Sequence, residues 1–136
     1  MEIRIHNQTE KKIPPLKTIQ SMIHGVCDDI SLKAESIDIV FVDDNTLKNM
    51  HAEYLDDPTY TDIITFNLGD ENIEGELYIS LDRALEQAEA YKVPYFNEIK
   101  RLIIHGILHL AGYDDIKEED RREMKAVENR LVDNFN

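Results

Sequence analysis

The segment RLIIHGILHLAGYDD, residues 101–115, places two histidines inside a strongly apolar run. His105 and His109 are four residues apart, just over one turn of an α-helix, so both imidazoles project from the same face. Gly112 follows at the point where a helix would end and the chain would reverse. The segment therefore predicts a helix that presents two metal-ligating side chains near its C-terminal end.

Asp114 and Asp115 lie just beyond this turn, where a carboxylate can return toward the imidazoles. Asp115 stands six residues after His109, which reproduces the H-x3-H-x5-H ligand spacing of metzincin-type sites with aspartate as the third ligand. A metzincin peptidase also carries a glutamate directly after its first histidine as general base, and Gly106 occupies that position here. We therefore expect a three-ligand metal site, open at a fourth position for water or substrate, that lacks the general base of an ordinary metzincin peptidase.

Composition favours one globular domain that works inside the cell. The 136 residues suffice for a single domain with a buried core, and 42% of them are hydrophobic and 32% charged. Cys27 is the only cysteine, which excludes an intrachain disulfide and suits a reducing compartment. The N-terminal residues lack a secretory apolar region, and no apolar run approaches the roughly 18 residues of a membrane span. We expect a cytoplasmic protein.

The net charge is unusual for a protein that holds nucleic acid. Its 15 Lys and Arg stand against 28 Asp and Glu, for a formal charge of −13, whereas proteins that contact many phosphates carry a basic face. We interpret most of the scattered basic residues, Arg121 and Arg122 among them, as solvated surface. The stretch KEEDRREMKAVENR, residues 117–130, is interpreted as an exposed helix face. Composition therefore argues against RNA, unless a basic patch forms locally.

The hydrophobic pattern predicts strands and helices in the order βαβαββααα. Pro94 begins the helix that carries the histidines, and Asn45 and Ser80 are suitable N-caps for the helices that follow them. The predicted strands cover residues 2–6, 36–42, 63–67 and 76–80. The other predicted helices cover residues 14–29, 46–54, 81–91 and 117–134, and the last of them is amphipathic. This order indicates an α+β (or α/β) domain with a small mixed sheet of about four strands covered by helices. The pattern leaves the order of the strands open.

The histidine segment also resembles a known family. HGILHLAGYDD (105–115) closely resembles the HGxLHLxGYDH signature of the YbeY family of rRNA-maturation endoribonucleases. LKNMHAEYL (47–55) and TDIITF (61–66) are similar to that family's LN…YR…TDVLSF segment, and GELYIS (75–80) is similar to its GDI-I-S strand. EEDRREMKAVENRL (118–131) resembles the acidic helix that follows the signature. The resemblance extends from about residue 36 to the C-terminus.

The resemblance implies a single metallo-endoribonuclease-like domain over residues 1–136. It implies one divalent transition metal, most simply zinc, held by His105, His109 and Asp115, with Thr61 and Asp62 facing the site or capping their strand. It also implies a role in rRNA maturation and ribosome biogenesis, with rRNA and the small ribosomal subunit as partners and neither DNA nor a membrane. Either metal-activated water or a metal-polarised phosphate would serve the cleavage.

Two residues depart from the family pattern. Asp115 replaces the third histidine, which makes the ligand set more negative and suits Fe(II), Mn or Ni better than three histidines do. Leu55 replaces an arginine, so another cation or the metal must meet the charge of the transition state. Asp114 matches the family's own aspartate, which assigns it to the turn or to the surroundings of the metal.

These departures leave three alternatives open. One is a non-catalytic ribosome-associated factor with a structural metal, in which Asp114 is a fourth ligand. Another is a metal-dependent hydrolase of a small molecule or peptide, which the acidic surface would suit. The last is a mononuclear iron oxygenase, although those sites typically lie on β-barrels and this motif is helical. His6, His24 and His51 follow no ligand spacing, and Tyr113 is expected to pack under the turn.

Overall fold

Strands and helices follow each other in the predicted order in the computed structural model, which describes residues 1–135. The strands are β1 (Glu2–Asn7), β2 (Ala34–Val42), β3 (Ile63–Asn67) and β4 (Ile73–Ser80). The helices are α1 (Leu16–Asp29), α2 (Asp44–Leu55), α3 (Leu81–Tyr91), α4 (Tyr95–Leu110) and α5 (Glu118–Asn134). The predicted α+β class and the small mixed sheet are both confirmed.

The four strands form one sheet in the order β1-β2-β4-β3. β2 is parallel to both β1 and β4, whereas β3 runs antiparallel to β4. β3 and β4 are consecutive and pair as a hairpin, whereas the connection between the parallel neighbours β1 and β2 runs through helix α1. β3 consequently lies at an edge of the sheet, where its side chains can border a cleft.

Helices cover both faces of this sheet because its central strands alternate between two apolar cores. On β2, Ile39 and Phe41 point to the larger core, and Val40 and Val42 point to the smaller one. The larger core lies between the sheet and helices α1, α3, α4 and α5. The smaller core lies under α2, where Leu47 is fully buried. The larger core therefore holds the helix that carries the two histidines.

Helix α4 is apolar around most of its circumference, as expected for a helix enclosed by other elements. Pro94 stands at its N-cap position, as predicted. Its buried apolar side chains are Ile99, Leu102, Ile103, Ile104, Ile107, Leu108 and Leu110. At its end Gly112 takes φ +98°, the Gly112 N–H donates to the His109 carbonyl and the Tyr113 N–H to the Leu108 carbonyl, both at 3.0 Å. This is a Schellman motif, and it reverses the chain.

The N-cap predicted for α2 was wrong by two positions. Asp43, not Asn45, caps the helix, and its carboxylate accepts a hydrogen bond from the Thr46 N–H at 2.7 Å. An aspartate side chain accepts hydrogen bonds from the free N–H groups, and its negative charge interacts favourably with the positive end of the helix dipole. The helix therefore begins after Asp43 and not after the asparagine two residues later. The Ser80 cap is confirmed, since its hydroxyl accepts from the Arg83 N–H at 3.2 Å.

The C-terminal helix is amphipathic, as predicted, with most of its acidic side chains exposed and one stripe buried. Met124, Glu128, Leu131 and Val132 of α5 are buried against the rest of the domain. This stripe recurs at three- and four-residue intervals, as in an amphipathic helix. Among the described residues, no helix combines the length and the apolar composition needed to cross a membrane.

Candidate metal centre

The two histidines are half-exposed positions on the otherwise buried C-terminal half of α4. The side chains of His105 and His109 are 28% and 29% exposed, whereas their neighbours Ile104 and Leu108 are fully buried. Their Nε2 atoms lie 3.1 Å apart. The four-residue spacing therefore places both imidazoles at one point of the surface, as the sequence predicts.

Asp115 reaches the imidazoles because the Schellman motif at Gly112 reverses the chain. One carboxylate oxygen, Oδ2, lies 3.5 Å from Nε2 of His109 and 3.8 Å from Nε2 of His105. The side chain of Asp115 is 43% exposed, so the three side chains are open to solvent on the side where Asp115 lies. The structure thus brings together the three residues that the spacing singled out.

The geometry of these three atoms fits one transition metal ion. Ligand atoms at 2.0–2.2 Å around a tetrahedral ion are about 3.4 Å from each other, and the three separations here are 3.1, 3.5 and 3.8 Å. Two imidazole nitrogens and one carboxylate oxygen are donors that Zn²⁺, Fe²⁺ and Mn²⁺ accept. The donor set and its spacing therefore match a three-ligand metal centre with one face open.

Glu128 supports His105 from α5, and the sequence analysis missed it. Its side chain is only 4% exposed, and Oε1 accepts a hydrogen bond from Nδ1 of His105 at 2.6 Å. Oε2 accepts from Arg101 at 3.0 Å and from Lys125 at 3.1 Å. With its proton on Nδ1, His105 turns an unprotonated Nε2 toward Asp115 and His109, the arrangement that metal-ligating histidines usually show.

The charges around this pair shift the pKa of both groups. Burial alone would raise the pKa of Glu128, but the hydrogen bond from His105 and the charge of Lys125 outweigh it and lower that pKa to about 2. Burial alone would lower the pKa of His105, and the bond to Glu128 outweighs it and raises that pKa. Glu128 is thus a carboxylate throughout the physiological range and a permanent acceptor for Nδ1–H.

Gly106 faces the sheet and not the candidate metal centre. A Cβ at this position would lie 2.5 Å from Cδ2 of Leu77 and 2.9 Å from Cδ1 of Ile63. The absence of a side chain therefore lets α4 approach β3 and β4 closely. A glutamate here would point into the core, so the position cannot provide the general base of a peptidase, in agreement with the sequence analysis.

Two large clefts meet at His105 and Asp115, and a smaller cleft of about 150 Å³ beside His105 includes Arg101. The β3-side cleft, about 500 Å³, includes His105, His109 and Asp115 in its wall. Its other lining residues are Leu55, Thr61, Asp62, Ile63, Ile64, Thr65, Asn67 and Leu110. The α5-side cleft, about 440 Å³, is lined by His105, Asp115, Arg121, Arg122, Met124, Lys125 and Glu128. An extended substrate that crosses the ligands passes from one cleft into the other.

Thr61 and Asp62 lie in the wall of the β3-side cleft, and both also have structural contacts. The Asp62 carboxylate accepts from the Gln87 side-chain amide at 3.1 Å, and the Thr61 hydroxyl donates to the Ile63 carbonyl at 3.4 Å. The Ser80 N–H donates to the Asp62 carbonyl at 3.0 Å, which ties the start of β3 to the end of β4. Their predicted roles at the site stay predictions.

Asp114 does not join the candidate ligands. Its carboxylate accepts from the Ile116 N–H at 2.9 Å and lines a separate cleft beside Gly112 and Glu123. Its role is therefore in the turn, and the four-ligand structural site is not formed. Tyr113 packs against the larger core, as expected.

The remaining histidines lie away from the ligand group, in agreement with their lack of ligand spacing. His6 and His24 are exposed. His51 is half-buried, with Nδ1 3.0 Å from the Thr59 carbonyl. Among residues 1–135, His105, His109 and Asp115 form the only group of three or more potential ligands close enough to hold a metal ion.

Comparison with known proteins gives one consistent result. The family model described as Endoribonuclease YbeY matches residues 4–136. A relative named endoribonuclease YbeY from Amoebophilus asiaticus is 35% identical over 129 residues, which cover 89% of this chain and 88% of the relative. A relative of the same name from Flavobacterium psychrophilum is 43% identical over 101 residues, covering 73% of this chain and 71% of the relative.

A solved structure has the same fold. The solution structure of a Thermotoga maritima protein superposes with a TM-score of 0.70 and covers 98% of this chain and 88% of its own. The two sequences are 23% identical, so this likeness concerns the arrangement of strands and helices.

Proposed function

Because the chain belongs to the YbeY family of endoribonucleases, we propose that it hydrolyses RNA phosphodiester bonds at the point where the two clefts meet. His105, His109 and Asp115 hold one divalent metal ion there. A metal bound by these ligands supplies Lewis acidity, which makes water a better nucleophile at neutral pH and offsets charge on a phosphoryl oxygen. The observation that carries this proposal is the triangle of Nε2, Nε2 and Oδ2 atoms 3.1 to 3.8 Å apart.

The surrounding residues hold these ligands in position. The hydrogen bond from Nδ1 of His105 to Glu128 fixes the tautomer and the orientation of the ring. The Schellman motif at Gly112 holds Asp115 across from the helix end. Thr61 and Asp62 line the cleft where substrate enters, and the carboxylate of Asp62, oriented by Gln87, is placed to accept a hydrogen bond from a ribose hydroxyl.

We further propose zinc as the metal and immature rRNA of the small ribosomal subunit as the substrate. Zinc fits because it favours a tetrahedral arrangement of nitrogen and oxygen donors. An rRNA substrate is supported by the family and implies that the protein works in the cytoplasm. We also propose that residues 1–136 act as one metallo-endoribonuclease-like domain. Neither a four-ligand site nor a peptidase base is formed among the described residues, so the structural-metal and peptidase alternatives receive no support from the site.

Replacement of one ligand tests this function. The variant His109→Ala should lose bound zinc and cleavage of a structured rRNA fragment together, because two remaining ligands hold a metal weakly. The exposed His24 on α1 offers a matched control, and His24→Ala should keep both. Metal content and cleavage are measured on the same preparations. Full cleavage by metal-free His109→Ala protein would refute the proposal.

The third ligand is tested separately with Asp115→His. If Asp115 occupies the position of the family's third histidine, this variant should keep its metal and cleave at least as fast as the unchanged protein, because a neutral ligand leaves bound water more acidic. Loss of the metal would show that the aspartate belongs to a different ligand arrangement.

A further inference from the structure

Of the two large clefts at the candidate ligands, only the α5-side cleft is lined by cations. Arg121, Arg122 and Lys125 line the α5-side cleft together with His105 and Asp115. The lining of the β3-side cleft includes no lysine or arginine, and Leu55 is exposed there. A strand that crosses the ligands from the β3-side cleft therefore meets Arg121, Arg122 and Lys125 in the α5-side cleft.

Two of these cations have no charged partner within the part of the chain that the structure describes. Four of the six arginines form ion pairs with carboxylates: Arg4, Arg83, Arg101 and Arg130. Within residues 1–135, neither Arg121 nor Arg122 forms an ion pair or a side-chain hydrogen bond. Lys125, by contrast, lies 3.1 Å from the Glu128 carboxylate. The unpaired guanidinium groups are thus the two that line the cleft next to the ligands.

Helix α5 separates its charges around its axis. Arg121, Arg122 and Lys125 stand at positions i, i+1 and i+4, which form one side of a helix. Asp120 and Glu123 line a different cleft, beside Gly112 and Asp114. Buried Glu128, one turn beyond Lys125, bonds to His105 and so fixes which side of α5 faces the candidate metal centre.

We propose that Arg121 and Arg122 bind phosphate groups of the RNA strand on one side of the cleaved bond. Guanidinium groups suit this role because their N–H donors match two phosphate oxygens at once. In a chain with a formal charge of −13, unpaired positive charge beside the ligands attracts the RNA backbone at the one place where cleavage occurs. The inference rests on the proposed function and assigns the residues that position its substrate.

The double variant Arg121→Gln/Arg122→Gln tests this role. The control Lys12→Gln/Lys33→Gln removes the same charge at exposed positions outside both clefts. For binding of a single-stranded RNA, the slope of log affinity against log salt should become shallower by about 1.4 in the arginine variant, since each single-strand phosphate contact contributes about 0.7. The KM for cleavage should rise about tenfold, and zinc content should stay unchanged.

The charge-conserving variant Arg121→Lys/Arg122→Lys should keep the salt slope of the unchanged protein. Its KM should lie between the KM of the unchanged protein and that of the glutamine variant, because lysine retains the charge but not the paired donors. Equal slopes and KM values in the glutamine variant and the unchanged protein would overturn the inference. An equal effect in the lysine control would also overturn it, because net charge alone would then explain the result. The salt slopes of the unchanged protein and the glutamine variant could differ as expected while the unchanged protein cleaves no RNA. The proposed function would then fail, and the phosphate contacts would stand.

Discussion

Glu128 governs how His105 can act as a ligand. It is buried, and its carboxylate bonds to His105, Arg101 and Lys125 at once. Its pKa of about 2 keeps it ionised even when the protein is mildly acidified. A ring without this acceptor would be free to rotate and to carry its proton on either nitrogen. The carboxylate is therefore a positioning group for the ligand set.

The substitution Glu128→Gln should lower the affinity for zinc about 10- to 100-fold, because outer carboxylates of this kind contribute about that much. Competition with a coloured zinc chelator measures the affinity. Glu119→Gln, at an exposed position on the same helix, is the matched control and should leave the affinity unchanged. An unaltered affinity in Glu128→Gln would show that His105 needs no partner to bind.

Glu98 is a second buried carboxylate, and it lacks such support. It is 1% exposed, its Oε1 atom has no hydrogen-bond partner within the described residues, and the nearest cation, Nε of Arg101, lies 3.7 Å away. Burial raises the pKa of Glu98 above its ordinary value of 4.5, and the charge of Arg101 offsets only part of this. The native state therefore takes up this proton more readily than the unfolded chain does.

The contribution of Glu98 to stability should consequently fall as the pH rises from about 4.5 through its raised pKa. Glutamine cannot ionise, so the free energy of unfolding of Glu98→Gln, relative to the unchanged protein, should increase from pH 4 to pH 7. Urea unfolding at the two pH values measures this difference. The exposed variant Glu119→Gln should show no such trend, and a flat difference for Glu98→Gln would contradict the expectation.

At the scale of elements, the approach of α4 to the sheet sets where the ligands stand. Gly106 lets the helix lie against Leu77 and Ile63, one residue after His105. Gly112 then ends the helix with a positive φ, which an L-residue adopts only with strain. Two glycines six residues apart thus determine the depth of the helix and the return of the chain toward the imidazoles.

The variant Gly106→Ala should lose up to about 2 kcal/mol of unfolding free energy. Overpacking against Leu77 costs about 1–3 kcal/mol, and the better helix propensity of alanine returns about 1 kcal/mol. Gly25→Ala on α1 is the control: the atoms nearest to its new Cβ, the closest at 2.3 Å, belong to the far end of the Phe135 ring, which can turn aside more easily than a side chain packed in the sheet. Chemical denaturation measures the free energy of unfolding of both variants. Equal free energies of unfolding in the two variants would show that the sheet yields to the extra methyl group.

At the scale of the whole molecule, the proposed metal links three segments of the chain. Its ligands belong to α4 and to the segment after it, and Glu128 adds α5. An unfolded chain does not preserve this geometry, so a metal that binds the native state must stabilise it. The expected gain is about 2.7 kcal/mol when free metal exceeds its dissociation constant by about 100-fold.

Removal of the metal by a chelator should therefore lower the Tm of the protein, and re-addition of zinc should restore it. His109→Ala should show a Tm that neither treatment changes, because it lacks the site. Thermal unfolding followed by circular dichroism provides the measurement. A Tm that is insensitive to chelator and zinc in the unchanged protein would show that the three side chains hold no metal.

Much of the site was predictable because its parts are close in sequence. The spacing of His105 and His109 depends only on the helical repeat, and Gly112 with Asp115 requires one local turn. The strand at 63–67 and the helix capped by Ser80 also agree with the prediction, because turn residues bound them on both sides. The start of α2 was misplaced, since Asp43 and Asn45 are both good caps and only the surrounding packing chooses between them.

The sequence by itself determined the candidate ligand triad, the element order and the family, because each depends on short-range spacing or on a continuous motif. Tertiary structure decided the order of the strands and the partner of His105, which lies 23 residues away at Glu128. It also decided that Arg121 and Arg122 face the cleft beside the ligands, although their pattern resembled a solvated surface. The sequence alone does not show which side of α5 faces the candidate metal centre. Only the packing of α5 on α4 determines which of its charged residues lie there.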